Sequence, residues 1–521
     1  MAATATEVIV IGAGISGLCA AKLLVDNGID VLVLEARDRV GGRTHTIQDA
    51  SVGGYVDAGG SYVGRTQDRL LRVAEELGVE SYSVDGNARI AFLQNGKVYP
   101  FEGSFPSFYN PITWMDVNHV KREINSIGKK IPAATPWDCP NAEKLDNTTL
   151  QKWIDDTTWT KTGRNLVKTL CRLIVTSEPT EVSLLFFAWY VKQCNGFLRT
   201  TSTKYGGQER KFIGGSQRIS LGLMDKIGKD RVIFDNPVYS IDQSGDVAVI
   251  KTLGEKTYEA KHVILAMSPA LIQKVHFNPP LPPLKNQLAA RCPIGSVIKC
   301  MIYYKTQFWR NRGFCGSSWS IDPDLPVEWS LDDTKPDGTA PALVTFITAN
   351  KARKFCQLTE NERRDKLCRY YAKVFGTDEA MHPINYLEKN WMAETYSAGC
   401  YTTVFQPGTI CQYGRELRRI VGCIHFAGTE TAIKWSGYMD GAVESGERAA
   451  REVLHAMGKL SEDEIWQEEP PSEDFPAVPF TQSFLEMNAP SVDGLVRFVT
   501  NTTILTAVVA GGVWLYKHAK F

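Results

Sequence analysis

The sequence lacks the paired cysteines and clustered histidines that mark disulfide-stabilised and metal-binding proteins. Its 12 cysteines are scattered singly without a CxxC pair, and its eight histidines form no HxxxH or HxH pair. Because zinc sites and disulfide frameworks need partners at regular spacings, we expect neither, and no metal. Cysteines that stay free indicate a reducing compartment.

The sequence also lacks an excess of positive charge. Lysine plus arginine equal aspartate plus glutamate, at 58 residues each, whereas a nucleic-acid partner usually requires a basic surface. We therefore expect no nucleic-acid partner. No basic and apolar signal segment precedes the first strand pattern, at residues 7–12, so export is not expected either.

The first 35 residues contain a nucleotide-binding pattern. Strand patterns at 7–12 and 30–34 and a helical pattern at 15–27 surround the motif Gly12-Ala13-Gly14-Ile15-Ser16-Gly17. Glycines there permit a tight turn, a close approach of backbone to a pyrophosphate, and close helix–strand packing. A carboxylate that ends the second strand can accept hydrogen bonds from ribose hydroxyls. The predicted nucleotide-binding residues are Gly12, Gly14, Ser16, Gly17 and Glu35.

The later sequence alternates between helical and strand patterns, which favours an α/β fold. Helical patterns cover 66–77, 150–173 and 182–193; strand patterns cover 232–234, 247–251, 263–266, 296–304 and 343–348; a strand–helix pair returns at 424–426 and 441–457. We predict two interleaved lobes. The predicted ranges are 1–90, 212–290 and 396–460 for the nucleotide lobe, 91–211 (helical) and 291–395 (sheet) for the second lobe, and 461–497 for an extended linker.

Residues 498–516 contain no formal charge and are long enough to cross a bilayer, which takes about 20 helical residues. Their apolar side chains point in all directions rather than along one stripe, which disfavours the alternative of a buried C-terminal helix. Trp514 and Tyr516, followed by basic residues, are typical of a membrane interface. We therefore predict a C-terminal transmembrane helix that acts as a tail anchor, with the rest of the chain in the cytosol.

Several motifs carry a resemblance to a known family. The run from Glu35 to Arg43, Gly59-Gly60-Ser61-Tyr62 and Phe426-Ala427-Gly428-Thr429-Glu430-Thr431 resemble the flavin-containing amine oxidases, in the family's order from about residue 7 to 451. Lys389-Asn390-Trp391, Ser397-Ala398-Gly399-Cys400-Tyr401 and residues 435–442 resemble the monoamine oxidases within that family. Ala398 departs from the usual glycine of that motif; the extra methyl group is expected to tighten the turn without removing the cysteine.

The resemblance implies a two-lobe flavoenzyme, in which a Rossmann-like FAD-binding domain is interleaved with a substrate domain of mixed sheet and helices. It further implies FAD bound covalently through a thioether from Cys400 to the flavin 8α carbon, a homodimer, and residence in the mitochondrial outer membrane. Beyond the nucleotide motif, the implied cofactor-binding residues are Arg37, Gly42, Arg43, Gly59, Gly60, Ser61, Tyr62, Val238, Trp391, Cys400, Tyr401, Gly428, Thr429, Glu430, Tyr438 and Met439.

Three residues are implied to act in catalysis. Tyr401 and Tyr438 match the tyrosines that flank the substrate amine, and Lys299 matches a lysine that holds a water near flavin N5. The implied reaction is oxidative deamination of primary monoamines, and some secondary and tertiary ones, such as aryl-alkylamines. Oxygen accepts the electrons, and aldehyde, ammonia and hydrogen peroxide are formed. Three alternatives stay open: a polyamine oxidase, an L-amino-acid oxidase, and a membrane-tethered FAD-binding scaffold.

The substrate gate differs from that of the familiar monoamine oxidases. Thr201 is smaller than the bulky residue at its position, and Trp329 is larger than the tyrosine or isoleucine at its own; Gln208 completes the predicted gate. These differences assign the chain to neither the A nor the B type. We hypothesise that Trp329 excludes branched or large amines.

Overall fold

A computed structural model of the protein describes residues 4–84, 88–103, 106 and 110–518. Its described strands, β1 to β20 in chain order, are Thr4–Ile11, Val31–Leu34, Thr46–Asp49, Gly54–Asp57, Tyr62–Val63, Ser81–Ser83, Arg89–Gln94, Lys97–Phe101, Arg210–Phe212, Val232–Ile233, Val238–Asp242, Ala248–Thr252, Thr257–Leu265, His276–Asn278, Val297–Tyr303, Phe314–Ser320, Trp329–Asp332, Ala342–Thr348, Asn385–Asn390 and Ile424–Phe426. Its described helices, α1 to α18, are Ile15–Asp26, Asp68–Glu76, Pro111–Lys129, Ala142–Asn147, Leu150–Thr157, Lys161–Val175, Leu184–Gln193, Phe197–Thr201, Gln217–Ile227, Pro269–Ile272, Pro283–Ala290, Phe308–Asn311, Ala349–Phe355, Glu360–Phe375, Thr409–Tyr413, Met439–Ala456, Phe484–Asn488 and Val492–His518.

The first sheet contains the predicted βαβ unit. Its strand order is β10-β2-β1-β13-β12-β11-β14, with β20 also paired to β13. Strands β1, β2, β10, β13 and β20 pair in parallel, and helices α1 and α16 pack together beside them. Because both faces of such a sheet are covered, β2 and the ends of β1 and β13 are continuous apolar runs rather than alternating ones. Early, middle and late parts of the chain thus meet in one sheet.

The second sheet has the order β19-β15-β18-β17-β16-β7-β8. Every residue of β15 is buried, because both of its faces are covered. Alternate side chains of a strand point to opposite faces, so Ile298, Cys300 and Ile302 face α14 and the helical side. Val297, Met301 and Tyr303 face the cluster that contains Cys400. By the same alternation, the side chain of Lys299 lies on the face of Val297 and Met301.

Helices α3 to α8 form the predicted helical region, but one predicted helix is wrong. The pattern at 150–173 is two helices, α5 and α6, separated at residues 158–160. The Thr160 side chain accepts a hydrogen bond from Gly163 N and so caps α6. Asp116 of α3 accepts hydrogen bonds from the backbone of Trp159 and Thr160. A tertiary contact therefore fixes a break that the apolar pattern conceals.

The C-terminal region differs from the prediction in two respects. The predicted extended linker contains the short helix α17, and the last helix begins at Val492 rather than at residue 498. Asp493 and Arg497 form an ion pair on its first turns. The helix therefore includes these charged residues, which precede the predicted span of 498–516. Residues Val492–Leu515 have a mean hydropathy of 1.5 and are long and apolar enough to cross a membrane. The side chain of Tyr516 lies outside the described part of the chain.

The fold is thus α/β, with a Rossmann-like parallel sheet and a second, mostly antiparallel sheet drawn from alternating parts of the chain. The other predicted helices and strands are present with shifted ends. The boundaries of the predicted lobes stay a prediction.

Candidate active site

A cavity of about 510 Å³ runs between the two sheets, from the glycine motif to an aromatic end. Most of the predicted site residues line it. Among them are Gly42, Gly59, Gly60, Val238, Gly428, Thr429 and Met439. Gly17 and Glu430 do not line the cavity, and their positions indicate indirect roles.

At the first end of the cavity, the glycines divide into two kinds. Gly12 has φ +106°, and a Cβ there would lie 2.8 Å from Ala266 O. A Cβ on Gly14 would meet nothing within 4 Å, so the backbone there is open to a ligand. A Cβ on Gly17 would lie 1.9 Å from Gly12 O. Gly17 therefore allows α1 to approach the turn, and it does not line the cavity.

Glu35 is held in place by backbone donors at the same end. One oxygen accepts a hydrogen bond from Ala13 N at 2.7 Å, and the other accepts from Arg37 N at 3.0 Å. Ser16 Oγ accepts from Gly428 N at 3.0 Å, which ties the glycine motif to the late segment. In the described residues, Glu35 is the only carboxylate that lines the cavity.

The two arginines that line the cavity are both paired with glutamates. Arg37 donates to Glu394 and to Ser397 Oγ. Arg43 binds Glu430 through two hydrogen bonds of 2.6 and 3.0 Å, and it also donates to Tyr401 O. Burial alone would raise the pKa of Glu430, but Arg43 outweighs it and holds that pKa below its usual value. Glu430 therefore acts by orienting Arg43.

Cys400 lies on a loop that several hydrogen bonds fix. Its N donates to Gly295 O at 3.1 Å, Thr176 Oγ1 donates to its carbonyl oxygen at 2.7 Å, and Tyr401 N donates to Thr176 Oγ1. Burial raises the pKa of the thiol to about 12. All 12 cysteines lie in described residues, and Cys400 alone among them lines the cavity.

Aromatic rings surround the second end of the cavity. Tyr438 lies 6.0 Å from Tyr190 and 4.8 Å from Trp435, between ring centroids. The Tyr401 ring meets Phe346 edge-on at 6.0 Å. Tyr401 and Tyr438 both line the cavity, so the predicted pair is brought to one place.

Sequence reasoning missed five aromatic residues that line the cavity: Tyr190, Tyr239, Trp319, Phe346 and Tyr396. Tyr190 lies in α7, which is buried along nearly its whole length and reads as ordinary core. Phe346 could have been found, since it lies directly opposite Lys299 in the pairing of β15 with β18. Cross-strand neighbours share a face of the sheet.

Lys299 is buried at the same end and donates to Gly59 O at 3.0 Å and to Ser61 Oγ at 2.5 Å. Burial, together with the nearby Lys211, lowers its pKa to about 8. The indole of Trp391 donates to Ala58 O at 2.9 Å, which fixes its plane against the cavity. Both side chains are therefore oriented by the segment that precedes Tyr62.

All three predicted gate residues line the cavity. Trp329 stacks on Phe346, with ring centroids 6.2 Å apart and planes 26° apart. The hydroxyl of Thr201 donates to Phe197 O within its own helix, and Gln208 donates to Thr200 O. The width of this end is thus set by Trp329 from the sheet and by Thr201 from α8.

The family model for flavin-containing amine oxidoreductases matches residues 15–454. The chain belongs to this family. It is 54% identical over 505 residues to flavin-containing amine oxidase B of Bos taurus and also of Homo sapiens, with 97% of each chain covered. It is 52% identical over 513 residues to a flavin-containing amine oxidase of Danio rerio, with 98% of each covered.

Solved structures agree with this family. Cyclohexylamine oxidase from Brevibacterium oxydans is 32% identical, with a TM-score of 0.82, and the match covers 87% of this chain and 99% of that one. A triple variant of putrescine oxidase, from a redesign of cofactor binding, is 29% identical, with a TM-score of 0.83 and 87% and 100% of the two chains covered. The chain is accordingly a flavin-containing amine oxidase.

The cavity fits the FAD that this family implies. The open backbone at Gly14 and the oriented carboxylate of Glu35 suit the dinucleotide. Arg43 supplies fixed positive charge farther along the wall. The aromatic end of the cavity, beyond Cys400, leaves space for a substrate beside the flavin ring.

Proposed function

We propose that the chain catalyses the oxidative deamination of primary monoamines, aryl-alkylamines among them, and of some secondary and tertiary amines. Oxygen is the electron acceptor, and the products are aldehyde, ammonia and hydrogen peroxide. One observation carries the proposal: the second end of the cavity is lined by aromatic rings, and no carboxylate in the described chain lines it. Such a slot suits an uncharged amine, whereas a carboxylate would hold it as an ammonium.

Tyr401 and Tyr438 orient the amine between their rings, since π faces attract and align a nitrogen. Phe346 and Trp435 support the two rings from behind, so the slot is rigid before substrate arrives. Fixing the substrate in this way lowers the barrier by orientation alone. Desolvation of the hydroxyl groups inside the protein raises the pKa of each phenol, so both stay neutral during the reaction.

FAD, when bound, supplies the two-electron chemistry of the reaction. We assign Cys400 as its covalent attachment point, through a thioether from Sγ to the 8α carbon, because no other cysteine lines the cavity. Lys299 holds a water or oxygen at the reacting end, where its buried ammonium favours the reduction of O2. The remaining predicted cofactor residues hold FAD in place.

The alternative oxidases are less well supported by the cavity lining. A polyamine site requires carboxylates for the distant ammonium groups, and an amino-acid site requires an arginine for the substrate carboxylate. Both arginines that line the cavity are already paired, Arg37 with Glu394 and Arg43 with Glu430. A pure scaffold would not need an oriented pair of tyrosines beside a buried lysine.

We also propose that α18 is a tail anchor in the mitochondrial outer membrane, that the catalytic part faces the cytosol, and that the chain forms a homodimer. The support is the exposed apolar surface of α18 and the likeness to the flavin-containing amine oxidases B. Digestion of isolated mitochondria with a protease that cannot cross the membrane tests the orientation, since a catalytic part that faces the cytosol should be cleaved.

The test of the activity is anaerobic mixing of the purified protein with phenethylamine while the absorbance of oxidised flavin is followed. We expect the absorbance to be lost and to return when air is admitted. A flavin that stays oxidised with phenethylamine and with a panel of aryl and alkyl monoamines would contradict the proposal. Denatured wild-type protein should retain the flavin on the peptide that contains Cys400, and Cys400→Ser should release it.

A further inference from the structure

A group of buried charged residues lies behind Lys299. Its other members are Lys211, Lys335, Asp57 and Asp333. Of the five, only Lys299 lines the cavity. The other four do not line the cavity, and burying charged groups costs free energy unless they are paired and hydrogen-bonded.

Three pairs of strands bring the group together. Lys211 on β9 lies opposite Tyr62 on β5, next to Ser61, which accepts a hydrogen bond from Lys299. Lys299 on β15 lies opposite Phe346 on β18, and Asp333 directly follows β17, which also pairs with β18. The group is thus built into the rigid sheets and not into a loop.

The lysines of this group differ in their partners. Lys211 donates a short hydrogen bond to Asp333 and forms a fully buried ion pair. Lys299 donates to the neutral acceptors Gly59 O and Ser61 Oγ. With three lysines and two aspartates in the group, the cationic side is in excess. Because Lys299 donates to neutral groups and not to a carboxylate, it can lose its proton more readily than Lys211.

We propose that the Lys211–Asp333 ion pair is a positioning element for Lys299, in which the ammonium of Lys211 opposes protonation of Lys299 and the carboxylate of Asp333 favours it. The inference rests on the proposed role of Lys299 in the reaction with oxygen. Neither Lys211 nor Asp333 reaches the cavity, so both act through Lys299 alone.

The charges around Lys299 agree with this arrangement. Burial and Lys211 lower its pKa to about 8, Asp333 and Asp57 act in the opposite direction, and Lys335 lowers it further. The phenol of Tyr62 stays neutral because burial raises its pKa. Lys299 is therefore cationic below about pH 8 and neutral above it, and the ion pair sets where that change occurs.

Two substitutions should move the titration of Lys299 in opposite directions. Lys211→Met removes the opposing cation and leaves Asp333 unpaired, so the pKa of Lys299 should rise by about one unit. Asp333→Asn removes the anion and leaves Lys211, so the pKa of Lys299 should fall by a similar amount. In the double variant, this pKa should lie between the values of the two single variants. The direct readout is competitive acetylation of the holoenzyme by acetic anhydride across pH, with the Lys299 peptide quantified by mass spectrometry.

The second readout is the pH profile of flavin reoxidation by oxygen, whose midpoint should move with the acetylation midpoint. Lys211→Arg, which keeps the charge, should restore the wild-type profile. Glu452→Gln removes the charge of the carboxylate that pairs with Arg448, and neither residue is among the charges that act on Lys299; it should leave both midpoints unchanged. If Lys211→Met does not accumulate, Lys335→Met tests the same upward shift with the ion pair intact.

Midpoints that stay fixed in Lys211→Met and Asp333→Asn, or that move in the same direction in both, would overturn the inference and leave the pair a purely structural role. The proposed role of Lys299 is tested separately by Lys299→Met. Reoxidation at the wild-type rate in that variant would overturn the role in oxygen reduction, whereas the acetylation midpoints would still report on the ion pair.

Discussion

The two ends of the cavity are built in opposite ways. At the nucleotide end, the glycine turn and the carboxylate of Glu35 come from residues 12–35, which are contiguous in sequence, and later segments with Val238 and Gly428 line the same cavity. The reacting end is formed by side chains from α6, α7 and α8, from β15 to β18, and from the loops around Cys400 and Tyr438. The first end uses open space beside glycines, and the second uses large rings packed against one another.

The difference shows why one fold can keep its cofactor and change its substrate. A backbone cradle tolerates few substitutions, because any added Cβ meets backbone or fills the place of the ligand. A wall of side chains can change one residue at a time, as Thr201 and Trp329 illustrate. Three substitutions test this contrast, in order of decreasing expected effect.

The largest effect is expected for Gly17→Ala at the nucleotide end. The new Cβ would lie 1.9 Å from Gly12 O, so α1 must move away from the turn, at a cost of about 3 kcal/mol in the free energy of unfolding. Gly14→Ala is the matched control, since a Cβ there meets nothing within 4 Å. It should fold normally and yet retain less flavin. Melting temperature and flavin content in detergent measure both effects; equal stability of the two variants would contradict the division of roles.

A smaller effect, confined to specificity, is expected for Trp329→Ala at the reacting end. Removing the indole that stacks on Phe346 widens the cavity, so kcat/KM for branched amines should rise about tenfold or more. The value for a small unbranched amine should change little. Trp309→Phe, a buried tryptophan outside the cavity lining, should leave the ratio of the two values as in the wild type. An unchanged substrate profile in Trp329→Ala would refute the gate hypothesis.

The smallest effect is expected for Ala398→Gly, on the loop before Cys400. Ala398 has φ +60°, a left-handed conformation that costs a residue with a Cβ about 1 kcal/mol. Glycine should relieve that cost and raise the free energy of unfolding by up to about 1 kcal/mol. Ala432→Gly, at a buried position with φ −72°, should instead destabilise the protein. Chemical denaturation measures both changes, and destabilisation by Ala398→Gly would show that the methyl group makes a needed contact.

Much of the fold was predictable because it follows from local patterns. The apolar run of β1, the glycine turn and the helix α1 are contiguous, so the βαβ unit could be predicted with its parallel pairing. The break between α5 and α6 was not predictable from periodicity, since Asp116 of a different helix fixes it. The start of α18 was misplaced for a similar reason, because charged residues can occupy the first turns of a helix that is apolar farther on.

The sequence by itself determined the kind of site. A dinucleotide site requires the spacing of Gly12, Gly14 and Gly17, and the motif around Cys400 has its own characteristic residue types. Both are local patterns that can be read from the sequence. Only the tertiary structure decided which side chains share the cavity. It placed Glu430 behind Arg43, brought Tyr190 to Tyr438, and buried Lys211 and Asp333 beside Lys299. The physical reason is that burial and charge coupling depend on distances between remote strands, and no local pattern records those distances.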